Sequence, residues 1–292
     1  MIREARIIEI LESQGISVPT VLARSEDPAI LGAPFFVMSF VDGDVIRRDG
    51  LPEGGLRQDP ESQDKIGEQL VDILARLHAV DWASTPPLAE MSHPHGFLDR
   101  QVDRWLGQLD DYRVRDLPDV DDLATWLRDH MPKHGDLTVM HGDYKVDNVI
   151  WAPTAPPPRI ACVVDFEMTT VGDPLIDLAW AMIFWPEEGN SIALAAPGTP
   201  NGIHPDHCQT PEQLVQRYAR STGRDLSDFT WYQVFSAWKL AIVLEARTPN
   251  MFAANPATRS MRSSARSPTV CSPAPGGSPD DRHCSTSPAA SC

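Results

Sequence analysis

The sequence predicts an α+β chain: a small strand-bearing front followed by a mainly helical body. Three observations carry this. Two apolar runs near the N-terminus, VPTVLA and APFFVMSFV, read as strands after an opening helix. From residue 61 onward, several segments repeat apolar residues at helical spacing. Between them, residues 137–166 alternate strand, charged loop, strand, turn and strand.

Composition bounds what such a chain does. Its 292 residues are enough for one large domain or two small ones, and a hydrophobic content of 42% supports a sizeable core. A formal net charge of -16 argues against nucleic acid as the main partner, because phosphate binding needs basic surface. No apolar run approaches a membrane span, and MIREARIIEI has no signal-peptide core, so the expected setting is soluble and cytoplasmic, with no membrane partner. None of the five cysteines sits in a CxxC pair, which speaks against a zinc site. Cys162 lies in an apolar run and reads as a small core residue.

In REARIIEILESQ, residues 3–14, Ile7, Ile8 and Leu11 share a helical face and Gly15 stops the helix. Phe35 to Val41 is nearly all apolar, which predicts a buried strand, and DGDV then turns the chain. From Glu61 to Val80, the residues Ile66, Leu70, Ile73, Leu74 and Leu77 form one stripe, and His78 at its end reads as a capping or packing histidine. Residues 81–96 read as a loop; His93 and His95 lack a nearby third metal ligand. Helices are expected at 97–109 and 119–130, then strands at 137–140, 148–151 and 160–166, the last two joined by the proline-rich APTAPPPR. Asp173 is a good N-cap with Pro174 at the first helical position, and helices at 211–221 and 228–246 complete the body.

After Ala246 the character changes. From Ala253 on there is no Leu, Ile, Phe, Tyr or Trp, but nine serines and three cysteines. Such a segment cannot bury a core and is expected to be disordered. It reads either as a natural flexible tail or as the product of a frameshift in a GC-rich gene, and the Arg/Ser/Pro/Ala/Cys mixture favours the second. The segment from Arg247 carries five arginines and two aspartates, a charge of +3, which leaves -19 for residues 1–246.

The chemistry concentrates in HGDYKVDNVIW, residues 141–151. His141, Asp143 and Asn148 stand as H-x-D-x-x-x-x-N, the spacing of a protein-kinase catalytic loop. A phosphoryl acceptor hydroxyl needs an aspartate to orient it and accept its proton. Five residues on, an amide oxygen must reach the magnesium on the nucleotide phosphates. Asp165 closes the strand IACVVD and can pair across the hairpin beside Asn148, giving two oxygen ligands that suit magnesium. Lys145 lies two residues past Asp143, either to offset charge on the transferring phosphoryl group or as a solvated loop lysine. His141 is expected to pack and hydrogen-bond the loop, and Asp147 has no assigned role.

HGDYKVDNVIW, VVDFEMTTVGDPLIDLAW and SAWKLAIVLEA together resemble the aminoglycoside phosphotransferase (APH)/choline kinase-like family, which shares the protein-kinase-like fold. They are most similar to its branch associated with acyl-CoA dehydrogenases, as is LGAPFFVMSFVDG, and the match covers roughly residues 2–246. The resemblance implies ATP- and magnesium-dependent phosphorylation of a small-molecule hydroxyl, hydroxyacyl-type rather than aminoglycoside, with a functional tie to an acyl-CoA dehydrogenase. It implies Asp143 as catalytic base, Asn148 and Asp165 as magnesium ligands, and Met38, Ser39 and Phe40 as the hinge lining the adenine pocket. Asp177, between apolar Ile176 and Leu178, would brace the catalytic loop; Asp173 reads as an N-cap. The expected division is a remnant of the N-lobe over residues 1–42, a helical C-lobe over 43–246 and the tail over 247–292.

One departure stands out. Family members begin with a glycine-rich hairpin and a phosphate-binding lysine, whereas this sequence opens in the helix that follows. Glu4 matches the helix glutamate that pairs with that lysine, yet Lys65 is the first lysine. The expectation is therefore impaired catalysis, since losing even one preorganised donor costs about 10²–10³ in rate. The alternative is a non-catalytic, pseudokinase-like binding module or a decayed gene product.

Overall fold

The computed structural model describes residues 1–46, 60–90, 93, 95–113, 115–133, 136–152, 158–187, 203, 206 and 208–253. Most of the proline-rich turn and the tail beyond Ala253 lie outside them. The chain divides into two units, Met1–Ala246 and Arg247–Cys292.

Helix α1, Ile2–Ser13, buries Ala5, Ile7, Ile8 and Leu11, the face its periodicity predicts. It packs against a two-stranded antiparallel sheet of β1, Val21–Ser25, and β2, Phe35–Met38. A short helix α2, Pro28–Leu31, lies between them, capped by the Asp27 side chain. The expected burial of residues 35–41 is not realised. Phe40 is 91% exposed, and Val37 and Met38 are each 46% exposed. An all-apolar strand needs a cover on both faces, and among the described residues α1 supplies only one.

Asp44–Val45, read as part of a turn, is instead a short strand, β3. Helix α3, Pro60–Leu77, buries the whole predicted stripe of Ile66, Leu70, Ile73, Leu74 and Leu77. The segment read as a loop contains a helical turn, α4, Pro86–Glu90. Helices α5, Phe97–Tyr112, and α6, Pro118–Asp129, follow as expected.

Strand β4, Thr138–Met140, leads into the charged loop, and β5, Val149–Trp151, leaves it. Strand β6, Ile160–Val163, pairs antiparallel with β5, Val149 facing Val163 and Ile150 facing Cys162, while β3 pairs on the other edge of β5. The third predicted strand stops at Val163, three residues early, because the backbone at Asp165 turns left-handed. A further strand, β7, Thr170–Gly172, had no sequence signal and pairs with β4.

Helix α7, Pro174–Ile183, starts at the Asp173 N-cap, whose side chain accepts from the Leu175 N–H at 3.0 Å. Helix α8, Pro211–Thr222, opens with a capping box between Thr210 and Gln213 and packs along α3. Arg217 of α8 and Asp72 of α3 form a two-pronged pair, both contacts at 2.8 Å. Helix α9, Phe229–Ala253, is fastened to α6 by its indoles: Trp231 donates to the Leu127 carbonyl at 2.8 Å and Trp238 to that of Val120 at 3.0 Å. No helix among the described residues is long and apolar enough to cross a membrane.

Candidate active site

The loop between β4 and β5 is shaped by one glycine and one buried carboxylate. Gly142 sits at φ +88°, a region that side chains disfavour, and a Cβ there would lie 2.5 Å from the Met168 carbonyl oxygen. Asp177, fully buried on the first turns of α7, accepts the main-chain N–H of His141 at 2.6 Å and of Gly142 at 2.9 Å. Burial raises its pKa, but the bonds from His78, His141 and Gly142 outweigh this and hold it below the usual carboxylate range. His78 is itself pushed down by burial, so its 3.4 Å contact with Asp177 is a neutral donor meeting an anion. Its other nitrogen meets the Tyr218 hydroxyl at 2.7 Å.

His141 is also buried, which lowers its pKa and keeps it neutral. Its Nε2 lies 2.9 Å from the Val164 carbonyl, so that nitrogen carries the proton. Nδ1 is then free to accept the Asp143 N–H at 3.3 Å. The histidine thus ties the loop to the far side of the hairpin.

Asp143 is gripped from both oxygens. Its Oδ1 accepts from the Trp180 indole at 2.8 Å; its Oδ2 accepts from Lys145 Nζ at 2.6 Å and Asn148 Nδ2 at 3.3 Å. Burial opposes ionisation, but Lys145, Trp180 and Lys239 prevail and its pKa is lowered. Lys145 also lies 3.5 Å from Asp147, whose pKa burial raises.

Asn148 spends its amide nitrogen on the Asp143 carbonyl at 2.8 Å and on the carboxylate, which leaves its amide oxygen for a cation. Its main-chain oxygen accepts the Val164 N–H at 3.0 Å, placing Asp165 one residue from Asn148 across the hairpin. Asp165 is exposed and adopts φ 70°, ψ 57°; among the described residues it alone of the non-glycines has positive φ. That backbone costs about 1 kcal/mol or more and ends the strand's extended run before Asp165. An amide oxygen beside a carboxylate fits magnesium, which takes hard oxygen ligands and keeps several waters.

Glu4 reaches the same region from α1. Burial raises its pKa; the N-terminal ammonium opposes this, and the charges of Asp165 and Glu167 add to it. Ser39 and Thr20 bond each other twice, Ser39 N–H to the Thr20 carbonyl at 2.8 Å and Thr20 N–H to Ser39 Oγ at 3.0 Å. Met38, Ser39 and Phe40 make no hydrogen bond to the loop between β4 and β5 among the described residues. His93 and His95 belong to no metal-ligating cluster among them either, and both carbonyls accept from Arg100.

Sequence reasoning missed two residues of the site, Trp180 and Lys239. The available signals were an indole three residues past Asp177 and a lone lysine in an otherwise apolar helix run. A cleft of about 260 Å³, lined by residues including Phe97, Asp99, Lys133 and Asp173, contains none of the loop residues and gathers no base beside a cation site.

The sequence profile of the phosphotransferase enzyme family (APH) matches residues 1–230. The chain belongs to that family. It is 29% identical over 244 residues to mouse (Mus musculus) acyl-CoA dehydrogenase family member 10, covering 83% of this chain and 22% of that protein. It is 32% identical over 247 residues to rat (Rattus norvegicus) acyl-CoA dehydrogenase family member 11, covering 82% and 30%. The chain therefore spans less than a third of these relatives' length. A Ralstonia eutropha JMP134 structure provisionally described as an aminoglycoside phosphotransferase superposes with a TM-score of 0.73 at 26% identity, covering 87% of this chain and 75% of that one. A choline/ethanolamine kinase family protein from Mesorhizobium loti superposes at 0.55 with 17% identity, covering 89% and 77%, a likeness of fold alone. The fold is protein-kinase-like, and the resemblance read from the motifs holds.

Proposed function

We propose that this chain transfers the terminal phosphoryl group of ATP, with magnesium, to the hydroxyl of a small molecule. The observation that carries this reading is Asp143, held ionised and oriented from both oxygens beside Asn148, with Asp165 next across the hairpin.

Phosphoryl transfer is mostly positioning and electrostatics. Asp143 orients the acceptor hydroxyl and accepts its proton as the oxygen–phosphorus bond forms. Its lowered pKa suits a base that receives the proton late, when the hydroxyl has become acidic. Lys145, 2.6 Å from that carboxylate, is the nearby cation that offsets charge building on the transferring group. Asn148 and Asp165 hold magnesium, which screens the nucleotide phosphates. Met38, Ser39 and Phe40 form the adenine hinge, and Glu4 faces the metal site from α1.

For the acceptor we favour a hydroxyacyl compound over an aminoglycoside. The -19 charge of residues 1–246 would suit a cationic acceptor, but net charge does not locate a pocket. The similar proteins named as acyl-CoA dehydrogenase family members favour the hydroxyacyl reading, and with it we propose functional association with such a dehydrogenase. Cytoplasmic location belongs to the same reading.

The test is ATP consumption by the purified chain with a panel of hydroxyacyl thioesters and aminoglycosides. It is paired with magnesium-dependent ATP binding by wild type and Asp165→Ala. Turnover with a hydroxyacyl thioester and loss of binding in the variant are expected. Equal binding by the variant overturns the metal assignment; binding without turnover on any acceptor leaves the non-catalytic binding module as the better description.

A further inference from the structure

Lys239 lies midway along α9, only 6% exposed, with no carboxylate in hydrogen-bonding contact among the described residues. Its ammonium sits 3.9 Å from the centre of the Trp180 ring and 5.1 Å from that of Trp105, and donates to the Gly142 carbonyl at 3.2 Å. Burying a cation is expensive, so its placement needs a reason. Two of the groups it touches, Gly142 and Trp180, lead to Asp143. Gly142 is the residue before it and is held at its N–H by Asp177 at 2.9 Å; Lys239 holds the carbonyl of the same residue. Trp180 donates its indole N–H to Asp143 Oδ1 at 2.8 Å, and a cation over the ring face draws electron density from the indole and strengthens that donor.

We propose that Lys239 is the positioning residue for Asp143, fixing the preceding peptide through its carbonyl and backing the indole that holds the carboxylate. It bonds neither Asp143 oxygen, so it orients the base without occupying the face an acceptor needs. Its effect on turnover rests on the phosphotransfer reading above; its effect on the geometry of Trp180 and Gly142 does not. The charged groups around it are Asp143 and Lys145 from the loop, Asp177 from α7 and Arg104 from α5. Burial draws Lys239 down to about 8, so it is charged at neutral pH.

The experiment compares Lys239→Met, Lys239→Gln and Lys239→Arg with wild type. The readouts are the ¹⁵N–¹H indole resonance of Trp180, assigned with Trp180→Phe, and amide exchange at Gly142 and Asp143. In Lys239→Met the indole resonance moves, both amides exchange faster, and kcat falls about 10–100-fold with KM for ATP unchanged. Lys239→Arg keeps the cation and restores most of each. Lys239→Gln keeps a donor for Gly142 but no charge, so it moves the indole while sparing amide exchange. In wild type the same indole resonance titrates near pH 8, a readout that needs no variant to fold. An indole resonance that neither moves in Lys239→Met nor titrates in wild type overturns the proposal, even if the melting temperature drops. A resonance that moves while wild type turns over no acceptor sinks the phosphotransfer reading and leaves the positioning role standing.

Discussion

Asp177 and His141 are thirty-six residues apart in the chain, yet the Asp177 carboxylate accepts the His141 main-chain N–H at 2.6 Å in a fully buried setting. With Gly142 held by its other oxygen, the carboxylate replaces the strand partner that β4 loses where it ends. Asp177→Ala strands one buried and one part-buried donor and removes the acceptor for His78. The expected loss is on the order of 3 kcal/mol in urea denaturation, with phosphotransfer lost alongside. A loss below about 1 kcal/mol, within the ordinary range for one hydrogen bond, would show that the brace is not structural.

Gly142→Ala probes the same corner from the backbone. The left-handed conformation costs alanine about 1–2 kcal/mol, and the added Cβ meets a backbone oxygen rather than a yielding side chain. The loop must shift, which carries Asp143 with it. Activity should fall further than stability does; equal, small losses in both would mean that the loop tolerates the shift.

Asp173 gives a pH-dependent signature. Burial pushes it up to about 6, although Tyr232 donates to it at 2.6 Å and Leu175 N–H at 3.0 Å. A carboxyl raised in the folded state binds protons more readily folded than unfolded. Its contribution is therefore complete below about pH 4 and is lost as pH rises through 6. Asp173→Asn keeps the cap without the charge, so it should equal wild type near pH 4 and exceed it by about 2–3 kcal/mol at pH 7. Chemical denaturation at the two pH values decides it, and a variant weaker than wild type at pH 7 contradicts the assignment.

Lys239 titrates with the opposite sense. Its folded-state pKa of about 8 lies below the usual lysine value, so the unfolded chain binds the extra proton between the two. The burial cost should be present below pH 8 and recede as pH climbs towards 10.5. Relative to Lys239→Met, wild type should gain up to about 3 kcal/mol across that window. A constant difference between the two proteins would place the ammonium in a wetter setting than its 6% exposure indicates.

The parts of this protein legible in its sequence are those where neighbours along the chain decide the outcome. The α3 stripe is a matter of periodicity, and all five of its predicted residues are buried. Asp143 and Asn148 lie five residues apart, and the Asp173–Pro174 start of α7 follows from local capping. Asp177 could be placed inside because its flanking residues are apolar. The strands β3 and β7 were not legible, being two and three residues long with no pattern to repeat; each exists because a partner, β5 or β4, offers hydrogen bonds. The apolarity of β2 was readable but its exposure was not, since exposure depends on what lies over the strand.

Order, spacing and residue type along the chain were by themselves sufficient for the family and the longer helices, because each rests on interactions within a few residues, and they named the carboxylates Asp143, Asp165, Asp173 and Asp177 as candidates. Only the tertiary structure decided how those carboxylates are poised. Trp180 and Lys239 stand thirty-seven residues and ninety-seven residues from the loop groups they touch. Hydrogen bonds and the field of a buried charge act over a few ångströms of space, whatever the distance along the chain.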